Sequence, residues 1–92
     1  MQDARICQAI SKKLVLQISY NNKMRLIEPH AYGVDALGND LLNGWQQTPQ
    51  PVWRSFRLAR VAVVSTTPTH FERPRPEYKR NDKTLTRIYC QV

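Results

Sequence analysis

Two adjoining segments decide the fold of this chain, and they read LVLQISY at residues 14–20 and MRLIEPHAYGV at residues 24–34. In the first segment a large apolar side chain stands at every second position, which is the period of a β-strand. The intervening Asn21-Asn22-Lys23 tolerates positive φ and predicts a hairpin turn. Pro29 marks an edge position or a bulge in the second strand. The two segments therefore predict an antiparallel hairpin.

A short helix is predicted before this hairpin, over residues 3–12. Asp3 can cap its N-terminus, and Ile6 and Ile10 share one face because they are four residues apart. The lysines that follow suit the C-terminal end of the helix dipole.

Three further strands follow the hairpin. A turn at residues 38–40 precedes a strand at 41–47, and the irregular loop 48–51 leads to strands at 53–58 and 61–67. Short antiparallel strands on short loops avoid exposed edges by curling into a barrel. We therefore predict a mainly β fold, a small bent five-stranded antiparallel barrel with an N-terminal helix.

The tail, residues 68–92, differs in character from the rest of the chain. Its three prolines keep the first half extended and irregular. Asn81 or Asp82 can cap a final helix, and a sixth strand over residues 86–91 is the alternative. An apolar stripe in the tail docks on the protein's own barrel or on a neighbour's, which favours a homodimer. The stripe consists of Leu85, Ile88, Tyr89 and Val92.

Length and composition indicate a single domain over residues 1–92, with a barrel core at 13–67 and a basic, proline-rich tail at 68–92. Hydrophobic residues make up 41% and charged residues 23%, as in globular chains. No apolar run approaches the roughly 18–20 residues of a membrane span, and the start lacks a secretory apolar core. We expect a complete small cytoplasmic protein that does not enter a membrane.

Basic residues are in excess, with 14 Lys and Arg against 7 Asp and Glu and a net charge of +7. The excess is concentrated in residues 54–92, which hold nine basic and three acidic side chains. Such asymmetry favours an anionic partner, namely a nucleic acid, a nucleotide or an acidic protein. The alternative is a generic solubilising surface.

Cysteine and histidine are too sparse for a metal site. Cys7 and Cys90 form no CxxC motif, and His30 and His70 stand apart from them. We expect both cysteines to be small buried hydrophobes or free thiols of a reducing compartment. The chain has no paired carboxylates beside a histidine and no glycine-rich phosphate loop. The sequence therefore predicts neither an enzyme nor a bound cofactor.

Five segments share their order and spacing with a known family. They are Ala9-Ile10, the strand end at Tyr20, MRLIEPHAYG at 24–33, GNDLLNGW at 38–45 and WRSFRLARV at 53–61. Together they resemble the WYL domain family, small Sm-like β-barrels found mostly in bacterial regulatory proteins. The strand that carries the family's Trp-Tyr-Leu triplet here reads differently, and no winged helix-turn-helix precedes it, so the resemblance is to a stand-alone variant.

The resemblance implies a non-enzymatic regulatory or sensor domain. Its basic, aromatic-lined barrel face would bind an anionic ligand, either a nucleotide or single-stranded nucleic acid. The implied ligand-binding residues are Tyr20, Arg25, His30, Arg54, Arg57 and Arg60. Alternatives are a protein-interaction module for an acidic partner, or nonspecific nucleic-acid binding through the basic tail. The tail residues that would contact nucleic acid are Arg73, Arg75, Lys79 and Arg80.

Each candidate also has a structural interpretation. Arg25 or Arg60 can form an ion pair with Glu28 between adjacent strands. Tyr20 suits ring packing, and a lone histidine such as His30 is usually structural. The basic run of the tail is by default a solvated face. The largest candidates for the core, or for docking the helix, are Trp45 and Trp53.

Overall fold

The structure is a computed structural model and describes residues 3–92. These residues form one α-helix and six β-strands. Their bounds are α1 Ala4–Lys12, β1 Leu14–Tyr20, β2 Lys23–Val34, β3 Asp40–Thr48, β4 Val52–Arg57, β5 Val61–His70 and β6 Arg87–Gln91. A 3₁₀ turn at Leu58–Arg60 connects β4 to β5. The helix, the first five strands and the mainly β class confirm the prediction from the sequence.

All six strands belong to one antiparallel sheet, in which β2 has the most neighbours. The strand order is β4-β3-β2-β1-β5, and β6 pairs with β2 outside this order. β1 pairs with residues 23–27 of β2 and β6 with residues 31–34, so these two strands share one edge of β2. In the described chain β4 and β5 end the sheet without pairing to each other. The bent sheet is therefore a small barrel that is not closed.

An irregularity at Pro29 changes which side chains of β2 face the core. The register with β3 shifts between Pro29 and Ala31, so His30 is an extra residue on β2. Ile27 before the shift and Tyr32 after it both belong to the hydrophobic core. In a regular strand two residues five apart would face opposite sides of the sheet. The bulge predicted as one alternative for Pro29 is confirmed, and the edge position is wrong.

The helix α1 packs against β1, β2, β5 and β6. Asp3 caps it by accepting a hydrogen bond from the Arg5 backbone N–H at 3.0 Å. Ile6, Ala9 and Ile10 are buried against the sheet. The core side of the sheet is called the inner face below, and it carries Leu16, Ile18, Ile27, Leu42 and Phe56. No helix within residues 3–92 has the length and apolarity needed to cross a membrane.

Of the two alternatives for the end of the tail, the helix is wrong and the sixth strand over residues 86–91 is confirmed, because residues 87–91 form β6. β1 pairs with only five positions of the twelve-residue β2. The backbone groups of residues 31–34 on that edge need partners, and an extended tail supplies them. The apolar stripe docks on the protein's own core, where Leu85 is buried and Tyr89 lies alongside. The expected homodimer stays a prediction.

Cys7 and Cys90 form a disulfide that joins α1 to β6. The expectation of buried hydrophobes or free thiols is therefore wrong. The two residues are separated by 83 positions, and their Cα atoms come within 5.7 Å because β6 lies beside α1. A tail helix would have given no reason for this proximity.

Reduction of this disulfide should destabilise the fold. A cross-link between positions 83 apart restricts the unfolded chain, which stabilises the native state by at most about 4–5 kcal/mol. We expect reductant to lower the urea midpoint measured by circular dichroism. The control is the Cys7→Ala/Cys90→Ala double variant, whose midpoint should not respond to reductant. An unchanged midpoint after complete reduction of the natural chain contradicts the prediction.

Candidate anion-binding site

Two of the predicted ligand-binding arginines, Arg25 and Arg54, lie on the inner face of the sheet. Directly opposed residues of antiparallel strands share a face. Arg25 is opposite the core residue Ile18, and Arg54 lies two residues before the core residue Phe56. We call their surroundings the barrel mouth, which lies toward the end of β1 that is remote from α1. It consists of Tyr20, Lys23, Arg25, Gln46 and Arg54.

Arg25 is buried without a counter-ion. Its exposed fraction is 8%, and no carboxylate of residues 3–92 forms an ion pair with it. Its Nη1 donates to Gln46 Oε1 at 2.8 Å, whereas its buried Nε finds no acceptor in that part of the chain. Burial, and then the positive charge of Arg54, lower the pKa of Arg25 below its ordinary value. The fold thus holds a cation where a cation is unfavourable.

The free edge of Arg25 is one that arginine uses to bind oxyanions. In Arg75, Nε and Nη2 donate to the two carboxylate oxygens of Glu28 at 2.8 and 2.7 Å. These two N–H groups lie side by side, which is the geometry for two parallel hydrogen bonds to a carboxylate or phosphate. In Arg25 the Gln46 bond occupies Nη1 and leaves the Nε edge without an acceptor among the described residues.

Two aromatic rings form the floor of the barrel mouth. Tyr20 and Phe56 pack edge to face with ring centroids 5.0 Å apart. The guanidinium carbon of Arg25 lies 5.4 Å from the Tyr20 centroid, and that of Arg54 lies 5.7 Å from the Phe56 centroid. The ring quadrupoles favour both cations. Because both rings are buried beneath the arginines, they are unavailable for stacking on a base.

Gln46 and Lys23 complete the mouth, and sequence reasoning missed both. Gln46 is 2% exposed, and its Nε2 donates to the Gln50 carbonyl at 2.8 Å, which turns its Oε1 toward Arg25. Lys23 is exposed and lies opposite Tyr20 on the inner-face side of the hairpin. A polar residue at a core-facing strand position was the available signal for Gln46.

The outer face of the sheet carries a separate ion pair. Glu28 is 2% exposed, is held side-on by Arg75 and also accepts a bond from Gln47 Nε2 at 2.8 Å. Burial alone would raise the pKa of Glu28, but the hydrogen bonds from Arg75 and Gln47 outweigh it and lower that pKa. The partner of Glu28 is thus Arg75 of the tail, and the predicted pairing with Arg25 or Arg60 is wrong.

His30 is the centre of this outer-face packing. It is fully buried, and its Nδ1 lies 2.8 Å from the Glu28 carbonyl oxygen, which can only accept. Its Nε2 accepts from the Arg75 backbone N–H at 3.0 Å, so the ring is neutral. Burial lowers the pKa of His30 and favours this state. We call the tail segment 71–78, with Glu28 and His30 beneath it, the outer-face clamp.

Both tryptophans belong to the same side of the sheet. Trp53 lies 5.1 Å from the His30 ring, and the Arg75 guanidinium lies 4.9 Å from the Trp45 ring. Phe71 and Tyr78 contact His30 from the tail, each at 5.2 Å. Trp45 and Trp53 are half-buried under the tail, so their predicted place in the main core or against the helix is wrong.

The remaining predicted site residues are dispersed. Arg57 is exposed beside the turn at 38–40, where a cavity of about 360 Å³ opens. Arg60 is exposed in the 3₁₀ turn, and its carbonyl accepts from the Asn21 N–H at 3.4 Å at the end of β1 that carries Tyr20. In the tail Arg73 and Lys79 are exposed, whereas Arg80 donates to the Val92 carbonyl at 2.8 Å. The structure thus groups the side chains of Tyr20, Arg25 and Arg54 and places His30 on the outer face. Arg57 lies beside this group through its backbone, because its N–H donates to the Tyr20 hydroxyl at 3.4 Å.

A groove of about 530 Å³ lies beside the outer-face clamp. Its polar floor is formed by Glu28, Gln47 and Arg75, which already bind one another. Residues 3–92 bring together no group of three or more His, Cys, Asp or Glu side chains suited to a metal ion. The barrel mouth is therefore the better candidate for binding a charged ligand.

The Arg75→Ala variant should be destabilised by about 2–3 kcal/mol. Breaking a buried ion pair costs about 3–5 kcal/mol because it leaves a lone buried charge, and the 40% exposure of Arg75 reduces that figure. The control is Arg73→Ala, an exposed arginine two residues away, expected within about 0.5 kcal/mol of the natural chain. Urea unfolding at pH 7 measures both. Equal stabilities of the two variants contradict the assignment.

Stability should decrease as the pH falls below about 6.5, the ordinary histidine value. The folded pKa of His30 is lowered, so the unfolded chain binds the proton first and acid favours unfolding. Glu28, also with a lowered pKa, extends the trend below about pH 4.5.

Urea unfolding between pH 7.5 and 5 measures this dependence. The His30→Gln variant does not titrate at that position and should lose most of the slope. A variant that keeps the full slope shows that His30 is not its source.

Comparisons with known proteins bear on the fold. No family model and no curated protein matches the chain. The fold is similar to part of the solved structure of proteasome accessory factor B/C (PafBC) of Arthrobacter aurescens, with a TM-score of 0.71 and 21% identity over 84% of this chain. The matched part is 13% of the PafBC chain. At this identity the likeness concerns the fold alone, and it supports the WYL-like fold expected from the sequence.

Proposed function

We propose that this chain is a non-catalytic regulatory or sensor domain that binds an anionic ligand, a nucleotide or single-stranded nucleic acid, at the barrel mouth. One observation carries the proposal. Arg25 is buried, lacks a counter-ion among the described residues, and leaves its Nε edge without an acceptor. Arg54 adds a second guanidinium on the same face.

The energetics of Arg25 support a ligand. An uncompensated buried charge costs several kcal/mol, whereas a hydrophobic side chain of similar size at such a site is often more stable. The presence of a destabilising arginine at this position is explained if an anion completes its hydrogen bonds and neutralises its charge. Lys23 at the rim adds a further positive charge to attract that anion.

The likeness to PafBC supports a regulatory role. That protein is named an accessory factor, and the present chain resembles 13% of it. A binding domain rather than an enzyme suits a regulatory role, because the sequence showed no group of residues suited to catalysis.

The cytoplasmic location stays a prediction. Disulfides such as Cys7–Cys90 persist mainly in oxidising compartments. Alkylation of free thiols during lysis measures whether the two cysteines are reduced, as in the cytoplasm, or joined, as in an oxidising compartment.

A second candidate rests on the tail. Arg73 and Lys79 are exposed, and neither forms an ion pair within residues 3–92. Such side chains suit weak, salt-dependent contacts to a nucleic-acid backbone or an acidic protein. Replacing either residue with alanine should mainly lower the salt slope of binding, by about one unit for each phosphate that the variant no longer touches.

The Arg25→Met variant should separate function from stability. We expect it to bind single-stranded oligonucleotide or nucleotide at least about tenfold more weakly, because charged hydrogen bonds contribute about 1.5–3 kcal/mol. The same variant should be as stable as the natural chain or more stable, by up to about 3 kcal/mol, because it removes an uncompensated buried charge. Titration calorimetry and urea unfolding provide the two measurements.

Arg57→Ala is the matched control, because it removes an exposed side chain of β4 that lies beside the turn at 38–40 and keeps the backbone N–H that donates to the Tyr20 hydroxyl. Its affinity should stay within about twofold of the natural chain, as for a residue that does not touch the ligand. Equal reductions in affinity for both variants would show that binding depends on a diffuse positive field. Unfolding of Arg25→Met would assign Arg25 a structural role.

A further inference from the structure

We propose, building on the function above, that the barrel mouth recognises a terminal phosphate group, a phosphate monoester, rather than the internal phosphodiesters of a nucleic-acid strand. A free nucleotide and the 5′-phosphorylated end of a strand both supply this chemistry. Three properties of the mouth support this choice over other anions.

The first property is access to the Nε of Arg25. This atom is buried, so the oxygen that accepts from it must enter the mouth. A terminal phosphate is joined to the rest of its ligand through one oxygen and can enter end-on. An internal phosphodiester continues in two directions, so two chain continuations would have to be placed beside the buried Nε.

The second property is the match of oxygens and charge. Two oxygens satisfy the side-on edge of Arg25, as the carboxylate of Glu28 does for Arg75. Arg54, half-exposed on the neighbouring part of the inner face, can donate to a third oxygen. A phosphate monoester has three terminal oxygens and a charge of about −1.5 to −2 near neutrality. A carboxylate and a phosphodiester each have two such oxygens and one charge.

The third property is the absence of a surface for a base. The aromatic rings of the mouth, Tyr20 and Phe56, are 6% and 0% exposed and lie beneath the guanidinium groups. Stacking on a base needs an exposed ring face. Val52, at the rim opposite Gln46, is 39% exposed and offers no hydrogen bond. The site therefore reads the phosphate group and ignores the identity of the base.

Calorimetric titration of the full chain with four small ligands tests the proposal. The probes are inorganic phosphate, AMP, UMP and 3′,5′-cyclic AMP, the last being a phosphodiester. We expect AMP and UMP to bind equally, and cyclic AMP at least about tenfold more weakly, the effect of removing one charged hydrogen bond. Arg25→Met should abolish the preference for AMP, and Arg57→Ala should retain it.

A pair of thymidine pentanucleotides, with and without a 5′-phosphate, distinguishes a strand end from a free nucleotide as the source. Tighter binding of the phosphorylated pentanucleotide than of AMP indicates that the ligand is the end of a strand. Equal affinities indicate that the site recognises the terminal phosphate group alone. Arg25-dependent binding that is equal for AMP and cyclic AMP, or for both pentanucleotides, overturns the terminal-phosphate inference and leaves the proposed function standing. If no probe binds in an Arg25-dependent manner, the proposed function fails as well.

Discussion

The length of β2 is the constraint on which the other features of this fold depend. With twelve residues against seven in β1, it extends beyond its hairpin partner and must find a second strand for the same edge. β6 fills that place, which brings the tail back across the sheet and Cys90 to Cys7. The bulge at His30 bends the strand and lets it supply core residues on both sides of the irregularity. One strand thus positions both Arg25 on the inner face and Glu28 on the outer face.

The inner and outer faces use the same chemistry with opposite results. On the outer face a guanidinium meets a buried carboxylate, and both charges are satisfied within the chain. On the inner face Arg25 has an amide partner on one nitrogen and no anion within residues 3–92. The ion pair on the outer face forms without a ligand, because it stabilises the outer-face clamp. The unpaired Arg25 lowers the stability of the fold, and the rest of the core must offset that cost. Residues kept for binding often lower stability in this way.

Local sequence patterns predicted the parts of this fold that are determined by residues close together in the sequence. The alternation in residues 14–20, the turn after Tyr20 and the capping aspartate each act within a few positions, and all were correct. The end of the tail was predicted either as a helix, which its apolar spacing suits, or as a sixth strand. Whether it became a strand depended on an unpaired edge some fifty residues earlier, which no local pattern contains. The disulfide was missed for the same reason, since it follows from the position of β6.

The candidate site was predicted in part. Residue type and family resemblance selected Arg25 and Arg54, and strand alternation correctly kept Arg57 away from Arg54. His30 was included through the family resemblance, but the bulge places it under the tail. Gln46 lacked charge and was overlooked, although its hydrogen bond orients Arg25.

The disulfide also affects how the chain can exchange segments between molecules. A strand such as β6, held by four register pairs with β2, is the kind of element that two copies can swap. Here the exchanged strand would carry Cys90 away from its own Cys7 and place it beside the Cys7 of the other molecule. Once the bond has formed within one chain, β6 cannot leave, and a swap completed before oxidation would become a covalent pair. In such an exchange, the order of oxidation and strand pairing would determine whether the disulfide joins one chain or two.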